Sequence, residues 1–146
     1  MRLITDANVL VAELLRSRGR ALIAHPTLEL TIAETVWDEA EYELRKRIAR
    51  MTTRETLTAE TGERLLEGAL VTANDRIGQI PQAVYGAYED VARSRIPRDP
   101  DDWHTVALAL ASGADIWTAD ADFLGCGIAT WTTDTLLAHL AYVGAE

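Results

Sequence analysis

The sequence predicts an α/β fold, a three-layer α/β/α sandwich around a central, mainly parallel sheet. Two observations carry that expectation. Short apolar runs of strand length, "RLIT" (2–5), "LELTIA" (28–33), "DIWT" (115–118) and "GIATW" (127–131), alternate with longer segments of helical spacing. Alternation of this kind needs crossover connections and therefore parallel pairing. Hydrophobic residues make up 48% of the 146 residues, enough to bury a core within a single domain spanning 1–146.

The elements follow in order. "RLIT" is apolar until Asp6 and reads as a buried strand. "NVLVAELLRSRG" (8–19) sets Val9, Leu10, Glu13, Leu14 and Arg18 at helical spacing, with Gly19 as the expected stop. "LELTIA" alternates as a second strand. "ETVWDEAEYELRKRIARM" (34–51) is an amphipathic helix with Val36, Trp37, Ala40, Leu44 and Ile48 on one face. Residues 55–74 are helical again from near Thr58, "RIGQIP" (76–81) is a weak strand ended by Pro81, and "QAVYGAYEDVARSR" (82–95) reads as one helix. A helix at about 101–112, a strand at 115–118, a helical turn at 121–124, a strand at 127–131 and a last helix over 132–143 complete the chain.

Charge is distributed unevenly. Fourteen Lys and Arg against 23 Asp and Glu leave −9. Every base lies at or before Arg98, so residues 99–146 carry eight acids and no base. That third of the chain repels bare phosphate, which argues against simple electrostatic nucleic-acid binding there. It suits a divalent cation or a basic protein partner. The one cysteine, Cys126, excludes an intramolecular disulfide and a Cys-based zinc cluster. No apolar run approaches the ~20 residues of a membrane span, and "MRLITDANVL" meets an Asp too early for a signal peptide. A cytoplasmic protein without a membrane partner is expected.

In open parallel sheets, ligands bind beyond the carboxyl ends of the strands. Asp6 directly follows the first strand, and Asp120 lies just past Thr118 at the end of another. Asp99, Asp101 and Asp102 open a helix, and Glu39 sits in the early turns of the helix after the second strand. These positions project onto one sheet edge, where like charges repel unless protonated or held by a cation. Plainer readings stand beside this one. "Asp99-Pro100-Asp101-Asp102" is also a helix start, with Asp99 as N-cap and Pro100 at the first helical position. Asp6 and Asp120 could each cap the helix that follows. Glu41 and Glu43 compete with Glu39 for the site-facing position. Arg16, Arg18 and Arg20 gather where the first helix ends, and Arg45, Lys46, Arg47, Arg50 and Arg54 where the second does. Both groups offer phosphate contacts or simply complement helix dipoles. Trp103 either stacks on a base or belongs to the core. His104 follows no ligand spacing.

The segments "LITDANVLVAELL", "TIAETVWDEAEYEL", "RDPDDWHTVALALASGADIWTADADF" and "GIATWTTDTLL", in that order, resemble the PIN-domain ribonucleases. The resemblance spans nearly the whole chain, with 52–95 its least diagnostic part. The family pattern is an Asp ending the first strand, a Glu in the helix after the second, an Asp at a later helix start and an Asp after the fourth strand. Carried over, these catalytic and metal-holding acids are Asp6, Glu39, Asp102 and Asp120. Asp99 and Asp122 match further acids that act through water, and Asn8 and Thr118 match polar neighbours.

The resemblance implies a PIN-like sandwich that uses Mg²⁺ or Mn²⁺, one ion or two, to hydrolyse single-stranded RNA into 5′-phosphate and 3′-hydroxyl ends. Arg16, Arg18, Arg20, Arg47 and Trp103 are the candidate RNA contacts. Small single-domain members, the VapC type among them, are often toxins held inactive by a small antitoxin with a basic or hydrophobic tail, and homodimers are common. A stand-alone RNA-processing nuclease, or a PIN-like protein-binding module with weak or no catalysis, are the alternatives. Phosphoryl transfer through an aspartyl-phosphate is disfavoured. Such sites generally use a Lys, the only one here is Lys46 in a charged helix, and Asn8 stands where a second Asp is usual.

Overall fold

"RLIT" forms β1 (Arg2–Thr5), the middle strand of a five-stranded sheet in this computed structural model, which describes residues 1–144. Glu146, the last of the eight acids, lies outside the described residues. The other strands are β2 (Glu29–Ala33), β3 (Ile77–Ile80), β4 (Asp115–Trp117) and β5 (Thr130–Trp131). Their order is β3-β2-β1-β4-β5, and every pairing is parallel. The helices are α1 (Ala7–Leu14), α2 (Ser17–Ile23), α3 (Glu34–Thr53), α4 (Ala59–Arg76), α5 (Gln82–Tyr85), α6 (Glu89–Arg95), α7 (Trp103–Ser112) and α8 (Thr133–Gly144). Among the described residues, no helix is long and apolar enough to cross a membrane.

Side chains alternate across the strands, so the sheet feeds two cores, one on each face. Leu3, Leu30, Ile32 and Trp117 enter one, with Leu10, Leu14, Trp37, Leu44, Ala69 and Leu136 from α1, α3, α4 and α8. Ile4, Ala33 and Ile116 enter the other, with Tyr85, Ala92 and Val106 from α5, α6 and α7. A parallel sheet covered on both faces gives the three layers expected.

Three local expectations are corrected. Gly19 does not stop the first helix. That helix ends at Leu14, and Gly19 is buried inside α2, where any Cβ would collide with the backbone of Glu13. Glycine is needed there for close helix approach, not for a cap. The single helix expected over 82–95 breaks into α5, a 3₁₀ turn at Gly86–Tyr88, and α6. Tyr85 leaves helical geometry at φ −120°, ψ −3° while its ring is fully buried. The strand expected over 127–131 is shorter, Thr130–Trp131, with the Ala129 carbonyl accepting from the Ile116 amide at 2.9 Å just before it, while Gly127 sits at φ 84°, outside extended geometry.

Candidate active site

The chain leaves β1 for β2 and β3 on one side, then returns to β4 on the other. A crevice opens at the carboxyl ends of strands where the order reverses in this way. Asp6 follows β1 directly, and Asp120 lies in the loop after β4. Glu39 sits in the second turn of α3, which starts from β2, and Asp102 immediately precedes α7. All four border one recess of about 40 Å³, together with Ala7, Asn8, Val36, Thr105 and Phe123. That exceeds the roughly 10–15 Å³ one water needs. Among the described residues, no Lys, Arg or His borders it.

Hydrogen bonds tie the recess together. Asp6 is 6% exposed. Its Oδ1 accepts from the Val9 amide at 3.2 Å, capping α1, and its Oδ2 accepts from Thr118 Oγ1. Thr118 Oγ1 in turn accepts from the Asp120 amide at 2.9 Å, and Asp120 Oδ1 accepts from the Asp122 amide at 2.9 Å. One buried hydroxyl thus links the end of β1 to the loop after β4. Burial raises the Asp6 pKa, the Thr118, Val9 and Asn8 hydrogen bonds lower it, and the charge of Asp120 raises it again, leaving a net rise. Asp102 is pushed up to about 7, first by burial, then by the charge and hydrogen bond of Asp99 and the charges of Asp120 and Glu39.

The capping readings divide. Asp6 and Asp120 do cap the turns that follow them. Asp99 does stand at the N-cap of a 3₁₀ turn over Pro100–Asp102 that leads into α7, with Pro100 in its first positions, but neither Asp99 nor Asp102 makes a side-chain cap bond. Of the competing glutamates, Glu41 pairs with Arg45 at 3.2 Å and Glu43 lies 3.9 Å from Lys46, while Glu39 borders the recess. Asp99 and Asp122 are not among its lining residues; Asp122 Oδ1 is 3.9 Å from Arg98 Nη1. Asn8 is exposed at the rim.

The expected RNA contacts fare unequally. Trp103 is 4% exposed and stacked on His104 with ring centroids 3.9 Å apart, so its ring face is not open to a base. It belongs to the core, beneath the Arg93 guanidinium at 5.5 Å. Arg20 is committed to structure: its Nη1 donates to the Leu14 carbonyl at 2.9 Å, at the end of α1. Arg16 and Arg18 are exposed and Arg47 is half-buried. His104 Nδ1 lies 2.8 Å from the Tyr85 hydroxyl and away from the recess, and burial lowers its pKa. Thr105 was missed from the sequence. It is buried, lines the recess, and stands three residues after Asp102, the spacing that places two side chains on one helix face.

Among the described residues, no three Asp, Glu, His or Cys side chains already stand close enough to hold a metal ion together. The donor set nevertheless fits a hard divalent cation. It is oxygen-only, acidic and without a base, and like charges lacking a counter-charge hold one another apart.

No curated protein matches this chain in sequence. Among solved structures, it resembles PAE2754 from Pyrobaculum aerophilum with a TM-score of 0.66 at 20% identity, over 97% of this chain and 90% of that one. That likeness concerns the fold. A family model described as PIN domain matches residues 4–141, and PIN domains are generally nucleases, which supports a hydrolase. With nearly its whole length matched by that model, and with a parallel α/β/α sheet beneath it, the chain belongs to the PIN-domain family.

Proposed function

We propose that the protein is an endoribonuclease dependent on Mg²⁺ or Mn²⁺, with the cation held by Asp6, Glu39, Asp102 and Asp120. One observation carries this reading: four carboxylates far apart in sequence border one recess, and among the described residues no basic side chain borders it with them. Asp99 and Asp122 stand one step back, where they would act through water. A bound divalent ion would activate water for attack on the phosphodiester and stabilise the departing oxygen.

The chain's own residues prepare that chemistry. Thr118 donates to Asp6 and leaves one of its oxygens oriented. Asp102, with its raised pKa, releases a proton as a cation enters, so metal affinity rises with pH. Asn8 offers an amide donor at the rim to a phosphate oxygen. We further take this nuclease as the toxin of a toxin–antitoxin pair. A recess of this charge accepts a guanidinium or ammonium tip, so a basic tail on a small antitoxin would compete with the metal.

Cleavage of end-labelled single-stranded RNA tests the nuclease reading. Mn²⁺ or Mg²⁺ should give 5′-phosphate products, chelator should stop the reaction, and Asp6→Ala should be inactive while remaining folded. Cleavage that persists in chelator overturns the metal reading. Adding peptides from a co-expressed partner tests the toxin reading: inhibition should be relieved by raising Mn²⁺, and inhibition indifferent to Mn²⁺ speaks against competition at the recess.

A further inference from the structure

The arginines of α6, Arg93 and Arg95, each reach a different segment that carries an acid to the recess. Residues two apart leave a helix in different directions. Arg93 Nε donates to Glu89 Oε2 at 2.9 Å, one helical turn back, and that pair orients the guanidinium. Arg93 Nη1 donates to the Pro100 carbonyl at 3.4 Å and lies 3.5 Å from Asp101 Oδ1. The guanidinium also covers the Trp103 ring at 5.5 Å. The Pro100 carbonyl accepts from the Trp103 amide as well, the bond that closes the 3₁₀ turn Pro100–Asp102. Arg93 therefore holds the residues on both sides of Asp102.

Arg95 is half-buried and holds the other segment. Its Nη1 donates to the Cys126 carbonyl at 3.1 Å. The Cys126 amide donates to the Phe123 carbonyl at 3.2 Å, and the Phe123 amide to the Asp120 carbonyl at 3.3 Å. Phe123 itself lines the recess. A run of hydrogen bonds thus leads from Arg95 to the main chain of Asp120. Gly127 leaves room for the guanidinium, since a Cβ there would lie 2.8 Å from Arg95 Nη1. The helix between the two arms is anchored in the core by fully buried Ala92.

We infer that Arg93 and Arg95 are positioning residues for the cation, fixing through α6 the separation of Asp102 and Asp120. The inference rests on the reading of those two acids as metal ligands. Neither arginine borders the recess, so neither touches the ion. Their role follows from the charge in front of them. Like-charged carboxylates push one another apart, so a site ready for a cation must be restrained from behind, through the main chain. Mg²⁺ demands near-octahedral oxygens at about 2.0–2.1 Å, which leaves little tolerance for a shifted segment. A planar guanidinium can meet Glu89, Pro100 and the Trp103 face together, whereas an ammonium is a point charge.

Mn²⁺ titrated into the whole chain without RNA, followed by isothermal calorimetry, tests this. Removing an arginine has two effects of opposite sign. Loss of a positive charge near the acids should tighten Mn²⁺ binding by Coulomb's law. Loss of a positioning contact should weaken it by roughly 10–100-fold, the scale for residues that orient metal ligands. Arg93→Lys and Arg95→Lys keep the charge, so they isolate the second effect and should each weaken Mn²⁺ binding about ten-fold or more. Arg64→Ala, which breaks the exposed pair with Glu60 on α4, should leave it unchanged. Melting in chelator checks that the variants are folded, and the lysine variants decide the matter even if Arg93→Ala and Arg95→Ala do not fold. Mn²⁺ affinity unchanged or tighter in the folded lysine variants overturns the proposal, as does a loss of the same size in Arg64→Ala. A wild-type chain that binds no Mn²⁺ overturns both the proposal and the metal reading beneath it. Weakened variants beside a wild type that binds Mn²⁺ but cleaves no RNA overturn the nuclease reading and leave the arginines' role standing. Metal-dependent cleavage with undiminished Mn²⁺ affinity in the variants does the reverse.

Discussion

Asp102 carries its proton into the neutral range because burial and three acidic neighbours all act on it in one direction. Its folded pKa of about 7 lies above its ordinary 3.8, so between those values the native state binds more protons than the unfolded chain. By linkage, its contribution to stability is fully present below about pH 4 and is lost as pH rises through about 7. In chelator, the melting temperature should therefore fall between pH 5 and 8, and Asp102→Asn should flatten that decline. An unchanged slope in the variant would show that the acids around it do not press on Asp102. Thr118 makes a second, independent case. Thr118→Val keeps the shape but removes the donor to buried Asp6, at a cost of about 1–3 kcal/mol for a buried group left unsatisfied. Thr118→Ser keeps the hydroxyl and should retain most of the stability in urea unfolding. Equal losses in both variants would assign the effect to packing.

Helix contacts decide what glycine means at two positions. Gly19→Ala drives a methyl into the Glu13 main chain and should destabilise by about 1–3 kcal/mol, as overpacking does. Gly68→Ala, on α4 with open space around it, should stabilise by roughly 0.5–1 kcal/mol through helix propensity. Opposite shifts in chemical-denaturation midpoints check the pair, and shifts of one sign would contradict the packing of α2 on α1. The same contact shows what could be read in advance. Asp6, Glu39, Asp102 and Asp120 could be grouped from sequence because strand ends and helix starts share one edge of a parallel sheet, whatever the side-chain detail. Glu39 could not be separated from Glu41 and Glu43 until the ion pairs to Arg45 and Lys46 were seen. Gly19 looked like a stop because glycine usually is one after a helix. Its true constraint comes from a neighbouring helix and leaves no local signal. Tyr85 likewise breaks its helix where its ring enters the core, and Trp103, polar-flanked in sequence, is covered by partners far from it along the chain.

The excess negative charge is not spread evenly over the molecule. Of the late acids, Asp115 accepts from the Trp131 indole at 2.9 Å, Asp101 lies 3.5 Å from Arg93, and Asp122 lies 3.9 Å from Arg98. Asp102 and Asp120 border the recess, where Asp6 and Glu39 join them from the first third of the chain. Folding therefore gathers like charge at one point of the surface, and that work is recoverable by a bound cation. An ion that binds only the native state at a hundred times its dissociation constant stabilises by about 2.7 kcal/mol. For a chain of this length that corresponds to a rise in melting temperature of roughly 5–10 °C. Mn²⁺ and Mg²⁺ should produce such a rise, whereas NaCl at matched ionic strength should not, because screening acts weakly on partly buried charges. Asp102→Asn should begin from a higher melting temperature in chelator, since repulsion is relieved, and should gain little from Mn²⁺. If the variant and the wild type gain equally, or if NaCl reproduces the shift, the stabilising ion is not held at the carboxylate recess, and the charge gathered there has another purpose.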